Sequence, residues 1–309
     1  MAPGIFIQPD PRLADSADPA KSLGITIYSG YKPMRAAGPL LGRNRIFDSI
    51  QSRIAKLRIP HEDQCSAEYY FDLVSTLRDF CGEFDRVVEV GVFMGGSSAV
   101  FAGCIDRFDF DLDLVDINAA YLRFSYERIR RLYPEATGRI RLFHGDLPAY
   151  VANVMMKETT GKCVVHHDGA HDFNQVVIDM ASLSFVADRV HAVIAQDTHL
   201  RGSLKHMNFV DLALYAVFGQ DLSYAPIGAV YEEGDPSTRP NRWQGNYFLP
   251  DAPEGFVIPM ALNQFKYPHS SVTAEAYFQA VLKAASEGDQ RDRDSHEKPM
   301  AEELIDDAA

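Results

Sequence analysis

Apolar and polar positions alternate along this chain in two periods. Between residues 86 and 218, short apolar runs are separated by longer stretches with helical spacing. Val87–Val90, Leu112–Val115, Ile140–Phe143, Cys163–His166 and Val190–Ala195 are the runs. Apolar stretches of this length bounded by turn residues predict strands buried on both faces. Between and after them, Ser97–Ile105, Ala119–Leu132, Pro148–Met156, Phe173–Phe185 and Met207–Phe218 read as helices. Strand and helix in regular alternation predict a parallel sheet with helices on both faces.

Two helices lead into this series. Ile46, Ile50, Ile54 and Leu57 form one apolar stripe, ended by Pro60. Tyr70, Leu73, Leu77 and Phe80 form another behind Ser66, a plausible N-cap. Residues 1–42 are rich in Pro, Gly, Ala and Asp and predict an irregular arm, with Tyr28, Tyr31 and Leu40-Leu41 as apolar anchors. Beyond Gly219 the pattern turns to β. Tyr224–Val230, Asn246–Leu249 and Phe256–Ile258 predict an antiparallel C-terminal edge, and Ser271 to about Ala285 a helix. The expected fold is therefore α/β: a Rossmann-like, doubly wound, mostly parallel sheet in one domain over 43–285. Residues 43–83 form its helical lead-in, and 286–309 an acidic, disordered tail.

Composition narrows the function. The net charge of −13 argues against nucleic acid as a partner. No apolar run is long enough to span a bilayer, and no basic region precedes an apolar one at the N-terminus. Cys65, Cys81, Cys104 and Cys163 lie far apart, which suits reduced thiols in a cytoplasmic protein. An apolar arm with nothing to pack on suits a homo-oligomer.

The chemistry gathers where the strands end. Ligands of open α/β sheets bind outside the carboxyl ends of the strands. There the chain carries Glu89, Asp116, Asp146, Asp168 and Asp197, an acid at or just after each of five strands. One such acid is unremarkable, since Asp also caps helices and starts turns. Five on one rim indicate a site.

The first of these strands runs into a glycine turn and a helix, Glu89-Val-Gly91-Val-Phe-Met-Gly95-Gly96-Ser97-Ser98. Glycines admit a ligand close to the backbone, and the helix start offers free N–H groups. The glycine spacing departs from the dinucleotide pattern, and Glu89 would repel a pyrophosphate but welcome an ammonium or sulfonium. Asp116, about 25 residues past Gly91, is placed to accept hydrogen bonds from ribose hydroxyls.

These residues resemble the first motif of class I S-adenosylmethionine-dependent methyltransferases. The closer likeness is to the branch of macrocin O-methyltransferase and the cephalosporin-hydroxylase-like proteins. Asp168-Gly169-Ala170-His171 and Gln196-Asp197-Thr198 match that branch's later motifs, and the resemblance spans about Ser66 to Leu249. It implies an O-methyltransferase acting on a small hydroxylated acceptor, a sugar or natural product. Glu89 would hold the methionine ammonium directly or through water. Gly91, Gly95 and Ser97 would form the cofactor loop. Asp116 would bind the ribose, and Asp146 would lie near the adenine amino group. Asp168, Gln196 and Asp197 would hold Mg²⁺, with Gln196 standing where that branch usually has an acid. His171 would act as general base.

Two other readings stand beside this one: a cofactor-binding scaffold without methyl transfer, and a metal-dependent hydroxylase using His166 and Asp168 in an H-x-D pair. His144 and His191 read as structural. His199 and His206 are divided between substrate contact and the surface. Arg123, Arg128, Arg130 and Arg131 read as a solvated helix face. The loop from Tyr231 to Gly245, with Arg242 and Trp243, is a candidate lid.

Overall fold

The computed structural model describes residues 4–27, 37–158, 161–202, 208–241 and 245–266. Tyr28, Tyr31, His206, Met207, Arg242, Trp243, the Ser271–Ala285 helix and the acidic tail lie outside the described residues.

An eight-stranded sheet forms the centre. Its strands are β1 (Ile5–Ile7), β2 (Arg86–Val90), β3 (Asp111–Asp116), β4 (Ile140–His144), β5 (Cys163–His167), β6 (Val190–Gln196), β8 (Ala225–Val230) and β10 (Pro253–Pro259). Their spatial order is β1-β4-β3-β2-β5-β6-β10-β8. The middle five are parallel, β10 runs antiparallel between β6 and β8, and β1 pairs antiparallel with β4. The fold is Rossmann-like and doubly wound. Strands β7 (Leu200–Arg201) and β9 (Tyr247–Phe248) form a separate two-stranded ribbon.

The chain winds outward from β2 to β4, then restarts at β5 on the other side of β2. Right-handed crossovers therefore change face at the β2/β5 boundary. Helices α2 (Arg45–Ile54), α3 (Ala67–Asp79), α4 (Gly96–Phe108) and α5 (Ala119–Leu132) pack with one another. So do α6 (Leu147–Tyr150), α7 (Phe173–Leu183) and α8 (Val210–Phe218). A short helix, α1 (Pro19–Ser22), rests on α5. The β2/β5 boundary is the topological switch point, so the crevice for a ligand opens above Val90 and His167.

Burial explains the strands. Val87, Val88, Glu89 and Val90 are all buried, as are Val164, Val165, His166 and His167 of β5. A strand covered on both faces must be apolar throughout, so Glu89 and His166 stand out as polar groups the core has to accommodate. Helix starts are set by side-chain caps: Asn44, Ser66, Asn118, Asp146 and Asp172 each accept backbone N–H groups of the turn they begin. Helix α4 differs. Gly95, in the left-handed region at φ 71°, begins it without a side-chain cap.

Three sequence expectations change. The N-terminal arm is not wholly irregular: Ile5–Ile7 completes the sheet beside β4. Asn246–Leu249 does not join the main sheet's edge, because Tyr247–Phe248 pairs with Leu200–Arg201 instead. The place beside β6 belongs to β10. The basic cluster on α5 is not a solvated face either. Arg128 is fully buried, and its guanidinium grips Asp63 (2.7 and 3.0 Å) and the Met94 carbonyl (2.9 Å). Arg130 and Arg131 pair with Glu127 and donate to carbonyls of the arm at Leu13, Ala14 and Ser16.

Candidate functional site

Two cavities open at the carboxyl end of the sheet. One, of about 460 Å³, lies over β2, β5 and β6 and is walled by Ser97, Asp168, His171, Gln196 and Asp197 among others. The second, of about 910 Å³, lies over β3 and β4 and is walled by Gly91, Asp116, Asn118, Tyr121 and Asp146. They share Phe93, Asp168 and Gly169. An extended ligand lying across the switch point would reach into both.

The glycine loop is shaped by what touches it. Gly91 sits at φ 80°, and a Cβ there would lie 2.2 Å from the Asp168 carbonyl oxygen. Only glycine lets the end of β2 meet the turn after β5. A Cβ on Gly96 would strike the Tyr70 hydroxyl at 2.2 Å and Asp63 at 2.9 Å. Arg128, Asp63 and Met94 thus tie the loop to the segment before α3.

Asp116 ends β3 and lines the larger cavity. It accepts from the Val92 N–H (3.0 Å) and the Asn118 N–H (2.7 Å), while burial pushes its pKa up. Asp146 is exposed, lines the same cavity and caps α6 through Ala149 N (2.9 Å). Glu89 and Gly95 reach neither cavity wall. Glu89 lies behind Ser97, whose hydroxyl donates to Glu89 Oε1 and which itself faces the smaller cavity. The other oxygen, Oε2, is buried and has no hydrogen-bond partner among the described residues. Burial pushes the Glu89 pKa up to about 8.

Asp168, His171 and Asp197 come together. His171 Nε2 lies 3.0 Å from Asp197 Oδ2 and 3.7 Å from Asp168 Oδ1. Asp197 is held in the left-handed region, at φ 59°, a costly backbone for a residue other than glycine. Burial works against a charge on His171, but Asp197 and Asp168 outweigh it and hold its pKa up to about 10. Asp168 is raised to about 6 by burial and by Asp197. Gln196, buried at the end of β6, sets its carboxamide between Asp168 and Cys65. In one orientation its nitrogen donates to Asp168, at 2.8 Å from Oδ1; in the other its oxygen faces Asp168 and its nitrogen the Cys65 thiol at 3.0 Å.

His166 does not join this group. It is fully buried, bonded through Nε2 to the Tyr69 hydroxyl (2.9 Å), with Nδ1 3.9 Å from Glu89. Alternation would put residues 166 and 168 on one face of a strand, but Asp168 lies past the end of β5, where the chain turns, while His166 is held in the core by Tyr69. The two-histidine, one-carboxylate centre is therefore not assembled by His166 and Asp168. His199 is buried and stacks on Phe248 at 4.2 Å.

Sequence reasoning missed part of the wall. Glu62, Asp63, Cys65 and Tyr70 come from the lead-in, and Asn241, Asn246 and Phe248 from the chain after β8. No local pattern marks them, since they reach the rim only through long-range packing.

No family model matches the chain, and no curated protein matches its sequence. Solved structures similar to it include an O-methyltransferase from Bacillus cereus in complex with S-adenosylhomocysteine (12% identity, 56% of this chain and 76% of that one, TM-score 0.37). Another is TrmK of M. capricolum with the same cofactor product (13% identity, 62% and 69%, TM-score 0.35). A third is a Podospora anserina methyltransferase bound to it (10% identity, 50% and 63%, TM-score 0.36). At such identities no activity passes from those proteins to this chain. Among the described residues, no helix is long and apolar enough to cross a membrane.

Proposed function

We propose that this chain is an S-adenosylmethionine-dependent O-methyltransferase of the macrocin O-methyltransferase-like branch, acting on a hydroxyl of a small, uncharged or cationic acceptor. One observation carries the reading. Two cavities meet at the switch point, one edged by the Asp116 carboxylate and the other by Asp168, His171 and Asp197. That separates a place for a nucleoside from a place for chemistry.

The residues fit the methyl donor. Asp116 faces the larger cavity with acceptor atoms for ribose hydroxyls, and Asp146 edges the same space. Glu89 keeps a buried oxygen without a donor among the described residues, and Ser97 links it to the smaller cavity. An ammonium on that side would be met by the serine hydroxyl backed by a carboxylate. When bound, the donor supplies a sulfonium methyl group open to in-line displacement.

The residues also fit a divalent cation. Asp168, His171 and Asp197 each offer one ligand atom, all within 4.8 Å of one another, and the Gln196 oxygen can turn toward Asp168. When bound, such a cation lowers the pKa of an acceptor hydroxyl. In the cation-free chain Asp197 and Asp168 hold the His171 ring protonated. A cation bound by the two aspartates would take up that negative charge and leave Nε2 neutral, able to take the hydroxyl proton as general base or to join the cation's ligands.

Among the described residues lining the smaller cavity there is no Lys or Arg, while Glu62, Asn241 and Asn246 add polar atoms. That wall favours a polyhydroxylated acceptor over an anionic one. The proposal includes a cytoplasmic setting and a homo-oligomer. Calorimetry with S-adenosylhomocysteine tests its core. Micromolar binding is expected, and no heat at millimolar ligand overturns it.

A further inference from the structure

We propose that the centre formed by Asp168, His171 and Asp197 selects a first-row transition cation over Mg²⁺, with His171 Nε2 as a ligand. This rests on the reading of that cluster as a cation site given above.

The geometry of His171 is the starting point. Its Nε2 is shut off from solvent and flanked by two carboxylate oxygens, 3.0 and 3.7 Å away. The three atoms all lie within 4.8 Å of one another, so a cation set among them would have each as a neighbour. Adjacent ligands of an ion bound at ~2.1 Å stand ~3 Å apart, so these separations suit three atoms sharing one centre. The positions are set by rigid parts. Asp168 follows β5 directly, and its N–H donates to the Val90 carbonyl at 2.8 Å. Asp197 follows β6, and the backbone of His171 accepts from Phe209 N at 3.1 Å.

The donor types then decide the metal. Mg²⁺ takes hard oxygen ligands in near-octahedral geometry and depends on carboxylate charge. Here Gln196 contributes a neutral carbonyl at most, which leaves two carboxylates. The added ligand is an imidazole, which suits Zn²⁺, Fe²⁺ or Co²⁺. Both features move selectivity the same way, so the lost charge penalises Mg²⁺ most and the nitrogen compensates only the softer ions.

Chelator-treated, untagged protein is titrated with CoCl₂ and with MgCl₂ by calorimetry, without any methyl donor. Co²⁺ is expected to bind at least ~100-fold more tightly than Mg²⁺. His171→Ala should weaken Co²⁺ by ~10–100-fold and shift its visible bands, while Mg²⁺ stays within about threefold. His171→Gln, which keeps a polar side chain there, is the second variant should the alanine fail to fold. Gln196→Glu should raise Mg²⁺ affinity and narrow the gap. Mg²⁺ binding within tenfold of Co²⁺, no binding of either ion, or Co²⁺ affinity unchanged in both His171 variants overturns the proposal. A protein that takes Co²⁺ but not S-adenosylhomocysteine overturns the methyl-transfer reading and leaves this one standing.

Discussion

Glu89 and Asp113 lie on neighbouring strands of one sheet, both fully buried, and the chain treats them in opposite ways. Asp113 faces the end of the sheet where the parallel strands begin. Arg141 holds it with two hydrogen bonds (2.7 and 2.6 Å), the Tyr150 hydroxyl donates to it, and Arg86 lies 3.6 Å away. Glu89, near the carboxyl end, has the Ser97 hydroxyl and, among the described residues, no Lys or Arg partner. The same contrast runs through both regions. Acids at the strand starts are matched by arginines, as Asp111 is by Arg139 and Glu158 by Arg86. At the strand ends, Asp116 accepts from the backbone N–H groups of Val92 and Asn118, and Asp168 and Asp197 flank one histidine. A buried acid with a full set of partners holds the fold together. One left short of partners costs stability, and a ligand is the reason to keep it.

The largest effect should come at the rim. Asp168→Asn removes a charge from the reacting side, at a residue that borders both cavities, and keeps Asp116 and Asp146 on the nucleoside side. Turnover should fall by ~10²–10⁴-fold, with S-adenosylhomocysteine affinity changed little. Rates and calorimetry on the same preparation check it. A variant that turns over normally removes Asp168 from the chemistry.

At the opposite end the effect should be on folding. Asp113→Asn takes the charge from the buried partner of Arg141 and Arg86, which keep Glu158 nearby, and unfolding should become easier by ~2–4 kcal/mol. Urea unfolding measures it. Arg128→Met should cost a similar ~3–5 kcal/mol, because it strands the partly buried Asp63. It should also weaken cofactor binding, since Arg128 holds the Met94 carbonyl of the glycine loop. Asp113→Asn should leave that binding unchanged. If the two variants lose it equally, the loop is not what Arg128 supports.

How much of this was legible depended on range. The five parallel strands were readable because strands covered on both faces are continuous apolar runs, and their helices because one face of each carries the core. The rim was readable for the same reason: once a strand's end is known, the next residue is on the rim. Ile5–Ile7 was not readable, because three apolar residues between Gly4 and Pro9 have no period to show. Tyr247–Phe248 is shorter still, and its partner is set by where β6 delivers Leu200. Arg128 sits among other arginines on α5, and nothing local distinguishes the one pointing inward. His171 was visible as a residue. Its place between two aspartates was not, because β5 and β6 meet only in the folded sheet.

The smallest effect sharpens the contrast most, because it has the opposite sign to that of Asp113→Asn. Burial raises the Glu89 pKa from 4.5 to about 8 in the folded chain. Between those values the folded state holds a proton that the unfolded state has released. Stability is therefore greatest below pH 4.5 as far as this group is concerned, and it falls as pH rises toward 8. By the linkage relation the fall is of the order of ~2–4 kcal/mol once relaxation around the carboxylate is allowed for. Glu89→Gln keeps the shape and an acceptor oxygen for Ser97 and has no proton to lose. Without any methyl donor, the variant should match the wild type near pH 5 and exceed it by ~1–3 kcal/mol at pH 8. It should at the same time bind S-adenosylhomocysteine more weakly. Urea midpoints at pH 5, 6.5 and 8 give the first result and calorimetry the second. Parallel pH dependences for the two proteins would mean that Glu89 is satisfied as it stands, like Asp113, and is part of the fold rather than of the site.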